Sequence, residues 1–390
     1  MAGLFNNFYA LLVPELIQHI AKDTNHSALR LVSKKLRTVG GPPSVVLRTL
    51  EDAMEARSQA ENLQPTWLSE WSARTCSIMA RVGNLQVLQW ARDNGCPWDE
   101  RTCAAAAREG HLAILQWARD NDCPWDTNTF AAAAEGGHEK VLQWLYDNGC
   151  PWNAGTCSNA ARNGHIAILQ WARANGCSWD AGTCDSAAEG GHLVILQWAR
   201  EHGCPWDEDT CRHAAGNGHL EVLQWAREHD CPWNGGTCTA AAEGGHLEVL
   251  QWAHANGCPW YEETCAGAAQ GGHLEVLQWA REHGCPWDES TCSAAAQGGH
   301  LEVLRWAYAN GCPWDKGACL GAALSGHLEV LQWLLLRGCP WDSFRCYIVA
   351  GRQGHVAVKE WIYANRDETE AWPVHADCHS KSTLKCGLTD

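Results

Sequence analysis

The sequence predicts an all-α protein: a solenoid of about eleven helix-turn-helix repeats with reduced or absent β-hairpins. Three observations indicate this. A Gly-His pair recurs every 27 residues from His111 to His327. One glycine column is filled in every repeat, and one helix of each repeat carries apolar residues over an arc too wide for a single interface. Repeats that cannot bury their apolar surface alone must stack on their neighbours.

The copying of one repeat also explains a biased composition. The 390 residues include 22 cysteines and 24 tryptophans, but only 4 phenylalanines. With 46% hydrophobic residues, the chain has ample material for a buried core.

Residues 12–37 precede the repeats and are predicted to form two short amphipathic helices. The polar stretch KDTNHS separates them. One interpretation is a helical cap that covers the first repeat, as repeat arrays require. The segment also resembles an F-box, through Pro14, Glu15, Leu16 and Ile20 and through LRLVSKKLR at 29–37.

F-box proteins bind a Skp-type adaptor of cullin ubiquitin ligases and select the target with a C-terminal repeat domain. The resemblance therefore implies a ligase subunit, with residues 1–40 as the F-box-like element and 41–74 as a helical linker and N-terminal cap. The implied adaptor-binding residues are Pro14, Glu15, Leu16, Ile20, Leu29, Val32, Ser33 and Leu36.

The repeats occupy residues 75–366, and TCRHAAGNGHLEVLQWAREHDCPWNGG at 210–236 is a representative copy. Small residues predict a first helix over 211–216, which Gly218 ends in the left-handed region. The apolar arc predicts a second helix over 220–229 that is buried on two sides. CPW then follows as an extended turn, because proline disfavours helix in the residue before it.

The second helix of each repeat is predicted to end at a further glycine column. Only aspartate replaces glycine there, and aspartate tolerates a positive φ better than most residues do. The column predicts a left-handed C-cap in ten of the repeats. Its members are Gly95, Asp122, Gly149, Gly176, Gly203, Asp230, Gly257, Gly284, Gly311 and Gly338.

Ala214-Ala215, GHLEVL at 218–223 and CPWN at 231–234 resemble the ankyrin repeat. That resemblance implies a protein-binding array. The ankyrin repeat has 33 residues, and the six missing here map between Asn234 and Thr237, where that family carries a β-hairpin. We therefore expect a tight loop in its place. An F-box joined to such an array is similar to proteins of large DNA viruses and protists, which implies a host-directed role.

The repeated cysteine, histidine and tryptophan columns admit a chemical and a structural interpretation. Phe130 replaces one cysteine and Asn84 replaces one histidine while the rest of the repeat is unchanged, which favours packing. Cysteines of one column are expected to lie too far apart for disulfides, because neighbouring repeats stack about 8 to 10 Å apart. The histidines are predicted to cap the second helix or to bond across the turn. Oxidisable thiols, adventitious metal and tryptophan stacking on sugars or bases remain alternatives.

The sequence contains no catalytic constellation: no phosphate-binding glycine loop, no serine elbow and no carboxylate pair unique to one repeat. We expect a non-enzymatic protein without catalytic residues, cofactor or metal. A net charge of -16 disfavours nucleic acid as a partner. No apolar stretch is long enough to cross a membrane, and a cytoplasmic location is expected, with the host cytoplasm or the nucleus as further options.

Residues 367–390 are predicted to form a disordered tail. Its His375, Cys378, His379 and Cys386 have a loosely zinc-like spacing, and a metal-free tail is the favoured interpretation.

Positions that change from repeat to repeat are expected to face solvent or a partner, and they are the candidates for target binding. One set follows the first-helix cysteine, at 185–186, 212–213, 239–240 and 320–321. The second lies in the expected loop, at 100–101, 127–128, 208–209, 262–263 and 316–317. The ankyrin resemblance implies that both border the concave side of a surface on the order of 100 Å long. The candidate residues are Glu100, Arg101, Asp185, Asp209, Arg212, His213, Glu262, Glu263, His283 and Lys316.

Three hypotheses follow. The leading one is a protein-binding adaptor of a cullin-type ubiquitin ligase. The second is a scaffold or decoy that binds proteins without a ligase. The third is a cysteine-rich metal or redox protein.

Overall fold

A computed structural model describes residues 72–366. The F-box-like element, most of the linker and the C-terminal histidine and cysteine cluster lie outside the described residues. The described chain consists of 22 α-helices in eleven pairs, and no strand occurs between residues 72 and 366. The predicted all-α array of about eleven repeats is confirmed.

The first helices of the pairs are α1 Ala73–Val82, α3 Glu100–Arg108, α5 Thr127–Gly136, α7 Ala154–Arg162, α9 Ala181–Glu189, α11 Glu208–Gly216, α13 Gly235–Glu243, α15 Glu262–Gly271, α17 Glu289–Gly298, α19 Lys316–Ser325 and α21 Ser343–Arg352. The second helices are α2 Leu85–Asp93, α4 Leu112–Asp120, α6 Glu139–Asp147, α8 Ile166–Ala174, α10 Leu193–Glu201, α12 Leu220–Glu228, α14 Leu247–Ala255, α16 Leu274–Glu282, α18 Leu301–Ala309, α20 Leu328–Leu336 and α22 Val356–Asn365.

The chain divides into two compact units between Pro205 and Trp206. Helices α1 to α10 belong to the first unit, and α11 to α22 belong to the second. Within each unit, every first helix packs against its own second helix and against the first helix of the next repeat. None of the helices between residues 72 and 366 is long and apolar enough to cross a membrane.

Polar residues start the first helices, and this corrects the predicted loop. Asp126 has an extended backbone and accepts hydrogen bonds from the N–H groups of Asn128 and Thr129. Thr129 in turn accepts one from the Asp126 N–H, which completes a capping box. Because the cap directly follows Trp125, helix begins at once and no loop remains. The helix predicted to begin at Cys211 therefore begins at Glu208.

Small side chains let the first helices pack closely. Thr210, Cys211, Ala214 and Ala215 of α11 are all fully buried, and the same four columns are buried in most other repeats. A larger side chain in place of Ala214 or Ala215 would push neighbouring first helices apart, since packed interiors have little free volume.

Each second helix has the wide apolar arc that the sequence predicts. In α12, Val222, Leu223 and Ala226 are buried, Trp225 is half-buried, and Glu221 is exposed. The helix ends one residue before the predicted His229. The residue after the C-cap of each second helix from α2 to α20 has a positive φ, including φ values of 62° at Asp122 and 64° at Asp230. The predicted left-handed ends are confirmed.

Candidate functional site

The histidine column links neighbouring repeats. The Nε2 atom of His165 donates a hydrogen bond to the carbonyl oxygen of Glu135, 30 residues earlier, at 3.0 Å. His138 makes the same bond to Arg108 at 2.9 Å, and His192 makes it to Arg162 at 3.0 Å. These carbonyl groups lie at the end of the preceding first helix and accept no hydrogen bond within that helix. Of the two predicted alternatives, bonding across the turn is confirmed for these histidines, and none of them caps its own helix through its side chain.

Asn84 occupies the histidine column in the first described repeat, and it acts differently. Its side-chain oxygen accepts a hydrogen bond from the N–H of Val87 at 3.1 Å. Asparagine is short enough to fold back on its own helix and is a preferred N-cap residue. The exchange of histidine for asparagine thus replaces a bond between repeats by a local cap.

The two cysteine columns meet within a repeat wherever both cysteines are present. The thiol of Cys285 donates to the carbonyl oxygen of Tyr261 at 3.4 Å, and the thiol of Cys265 lies 4.0 Å from the carbonyl oxygen of Cys285. A side-chain hydrogen bond with Cys285 raises the pKa of Cys265, and burial raises it further. The same hydrogen bond lowers the pKa of Cys285, and burial opposes that shift. Every cysteine between residues 72 and 366 is buried and free of disulfides, so these thiols act as packing groups.

Phe130 stands where the other repeats carry the first cysteine. It is fully buried and packs on Trp152 and Trp171, with ring centroids 5.2 and 6.3 Å away. Cys150, the remaining cysteine of this repeat, therefore lacks the usual neighbouring thiol. Burial raises the pKa of Cys150 to about 12.

The tryptophan columns pack against each other between repeats. Trp98 meets Trp117 of the next repeat edge to face, with ring centroids 5.6 Å apart. The guanidinium carbon of Arg92 lies 3.9 Å from the centroid of the Trp98 ring, and the same arginine donates to the Cys96 carbonyl. Both edge-to-face pairs and cation–π contacts are favourable. These rings contribute to the stacking of repeats.

In the first unit, the variable positions lie on the first helices. Glu100 is half-buried, and Arg101 is exposed with an ion pair of 3.9 Å to Asp99. Asp185 lies in α9 and is half-buried. Its neighbour Ser186 is only 4% exposed, which corrects the expectation that both positions of this set face solvent.

In the second unit, three candidate residues form one cluster on α11. The Nε atom of Arg212 lies 2.8 Å from an oxygen of Asp209, and its Nη2 atom lies 3.3 Å from Nε2 of His213. All three side chains are half-buried. The cluster presents an arginine held in place by its neighbours, which is a suitable donor for a carboxylate or carbonyl of a partner.

The other candidates of the second unit lie further along the array. Glu262 and Glu263 occupy the first turn of α15, and Lys316 begins α19; all three are exposed. Gly321, by contrast, is buried. A Cβ there would lie 3.1 Å from the carbonyl oxygen of Ser293, so this position holds glycine for reasons of packing.

His283 lies at the opposite end of the repeat, as the C-cap of α16. Its Nδ1 atom donates to the carbonyl oxygen of Trp279 at 2.8 Å, and its ring stacks on that tryptophan at 4.3 Å. Asn256 makes the same bond to Trp252 with its side-chain amide. The exchange of histidine and asparagine in this column reflects a shared capping bond, which the sequence comparison did not reveal.

Ion pairs between first helices were also missed. Arg108 pairs with Glu135, and Arg162 pairs with Glu189, both at 2.6 Å. Each pair joins residues 27 positions apart, which is one repeat. Arginine and glutamate alternate in the column of Arg108, Glu135, Arg162 and Glu189, and this alternation is the sequence signal for these ion pairs. Within residues 72–366, no group of three or more histidine, cysteine or acidic side chains is arranged to hold a metal ion.

Comparisons with known proteins give a structural likeness only. No family model matches the sequence, and no curated protein matches it. The solved structures that match include the crystal structure of the human ASB11 ankyrin repeat domain. The likeness covers 48% of this chain and 99% of that chain, at 18% sequence identity and a TM-score of 0.36.

Proposed function

We propose that this chain is a non-enzymatic adaptor that captures a protein target through its repeats and presents it to a cullin-type ubiquitin ligase. The target would bind the variable face, defined here as the candidate positions on the first helices of the second unit, from 208–209 to 320–321. The F-box-like element would hold the Skp-type adaptor.

One observation carries the target-binding part. Buried columns repeat almost without change, whereas the partly exposed positions of the first helices differ from repeat to repeat. In the second unit, the residues after the first-helix cysteine include Arg212, Thr239 and Leu320, all half-buried. The buried columns give this surface a rigid support, and its exposed residues form a pattern that no other part of the array repeats. A protein that selects one partner requires both features.

The target-binding part can be tested by affinity capture with the full chain. We compare the wild type with Arg212→Ala/His213→Ala, which removes the cluster on α11 without touching a buried column. Glu228→Ala is the matched control, because Glu228 is exposed at the end of α12 in the same repeat. We expect a protein that the wild type and the control capture and the double variant loses. Identical capture by all three would refute a role for this cluster.

The ligase part is tested separately by co-purification of the full chain with a Skp-type adaptor. Leu16→Ala/Leu29→Ala should abolish binding, and Asp23→Ala, in the polar stretch between the predicted helices, should leave it intact. If the wild type binds no adaptor but still captures its target, the chain is a ligase-independent scaffold. The two parts of the proposal can therefore fail independently.

A further inference from the structure

A pocket of about 630 Å³ lies between the C-terminal ends of α18 and α20. Arg305, Tyr308 and Ala309 line it from α18, and Trp333, Leu336 and Arg337 line it from the end of α20. Its volume is within the range of roughly 300 to 1,000 Å³ that is usual for ligand pockets. None of the six residues belongs to the variable face.

The walls of this pocket are apolar and unusually exposed. Leu336 is 82% exposed and Tyr308 is 40% exposed. The Tyr308 ring is held by Trp314, on which it stacks at 4.3 Å, and by Trp333, which it meets edge to face at 5.8 Å. A fixed aromatic wall beside an exposed leucine has the character of a binding surface rather than of an ordinary helix end.

At the positions of Arg305, Leu336 and Arg337, the other repeats carry polar, acidic or alanine side chains. The repeat that contains α16 has Gln278 in the column of Arg305, Glu282 in the column of Leu336 and His283 in the column of Arg337. Here two cationic side chains are gained at these columns and leucine replaces the carboxylate, while Tyr308 stands in the column of Arg281. These departures come together at one site.

The two arginines give the site its charge. Neither Arg305 nor Arg337 forms an ion pair with a carboxylate of residues 72–366. The guanidinium carbon of Arg337 lies 5.9 Å from the centroid of the Trp333 ring, so it borders the aromatic wall. In a chain of net charge -16, a basic rim around an apolar pocket selects an acidic ligand by charge complementarity.

We propose that this pocket is a second docking site, for an acidic peptide segment of a partner protein that carries one large apolar side chain. The apolar side chain enters between Tyr308, Trp333 and Leu336. Flanking carboxylates bind the guanidinium groups of Arg305 and Arg337, whose fork geometry matches a carboxylate. The site does not depend on the variable face, so it can be present even if the target binds elsewhere.

The test measures fluorescence anisotropy of labelled synthetic peptides with the full-length chain. The panel has Leu, Phe or Trp at the centre and Glu on both sides; matched peptides carry Ser at the centre or Lys on both sides. We expect the acidic apolar peptides to bind at least tenfold more tightly than either matched set. Added salt should weaken this binding, because the charge pairs are exposed.

Restoring the residues of the other repeats provides a variant that should fold normally. Arg305→Gln/Leu336→Glu/Arg337→His should lower the affinity at least tenfold with an unchanged circular dichroism spectrum. Conversely, Gln251→Arg/His254→Tyr/Glu282→Leu/His283→Arg places the same six residues between α14 and α16, where Ala255 and Trp279 already match. This variant should bind two peptides per chain.

Any of the following results would overturn the proposal: no peptide of the panel binds, the Lys peptides bind as well as the Glu peptides, the triple variant keeps full affinity, or binding appears only after Trp372 of the C-terminal segment is changed to Ser. The last result would identify the chain's own C-terminal segment as the occupant. A wild type that self-associates, with a monomeric triple variant, would identify a second copy instead and would also overturn it.

Discussion

The imidazole of His165 covers Gly137 of the preceding repeat while its Nε2 atom donates to the carbonyl oxygen of Glu135 at 3.0 Å. A Cβ on Gly137 would lie 2.6 Å from Cε1 of that ring. One glycine therefore meets two requirements at once: a positive φ at the turn and room for the histidine of the next repeat.

Gly137→Ala should destabilise the chain more than Gly149→Ala. Both glycines have a positive φ, of 77° and 73°, so both variants bear the left-handed cost of about 1 to 2 kcal/mol. Only Gly137 has a neighbour within 4 Å of the added Cβ, and this clash adds about 1 to 3 kcal/mol. Urea unfolding measures the difference. His165→Ala in the Gly137→Ala background should remove the steric part, and equal losses for the two single variants would contradict the prediction.

Asp126→Ala should cost about 1 kcal/mol of unfolding free energy, since it removes the two N–H bonds of a cap. Asp180→Ala is the matched control, because Asp180 starts α9 without a side-chain capping bond. The Asp180→Ala variant should lose less unfolding free energy than Asp126→Ala. This loss should become smaller still at high salt, because salt screens the interaction of the carboxylate with the helix end. Chemical denaturation of both variants gives the values. A larger loss for Asp180→Ala would show that the caps do not set the helix starts.

Phe130→Cys should destabilise the first unit by about 3 kcal/mol, although it restores the residue that the other repeats carry. Phe130 is fully buried against Trp152 and Trp171, and the smaller side chain leaves a cavity. The reverse change, Cys157→Phe in the next repeat, should also destabilise, by about 1 to 3 kcal/mol through overpacking. Thermal unfolding tests both. If either change were neutral, the column would be interchangeable between repeats and the local packing argument would fail.

Alkaline pH should destabilise the wild type more than Cys150→Ala. Burial raises the pKa of Cys150 from 9.0 to about 12. Between these values the unfolded thiol releases its proton and the folded one keeps it, so the unfolded state is favoured as the pH rises. The contribution of the Cys150 thiol to the free energy of unfolding is fully present below pH 9. Above pH 9 it falls by about 1.4 kcal/mol per pH unit. Urea unfolding at several pH values measures the difference between the two proteins, and parallel pH profiles would refute it.

Much of the fold could be predicted because eleven repeats can be compared position by position, and each position shows which residues it tolerates. The replacement of glycine by Asp122 and Asp230 alone predicted a left-handed backbone, and both residues have it. The start of the first helix was predicted three residues late, since the aspartate that caps it follows a Cys-Pro-Trp turn and was assigned to a loop. At the candidate surface, sequence variation identified Arg212, but it also selected Ser186, which is buried.

The sequence by itself determined the period, the helix pairs and the residues that end them, because helix ends and apolar arcs depend on residues a few positions apart. Only the tertiary structure decided which distant groups meet: His165 with a carbonyl 30 residues earlier, Trp98 with Trp117, and Arg305 with Leu336 around one pocket. These contacts depend on the offset between stacked repeats. That offset results from packing over the whole interface, so no single stretch of sequence encodes it.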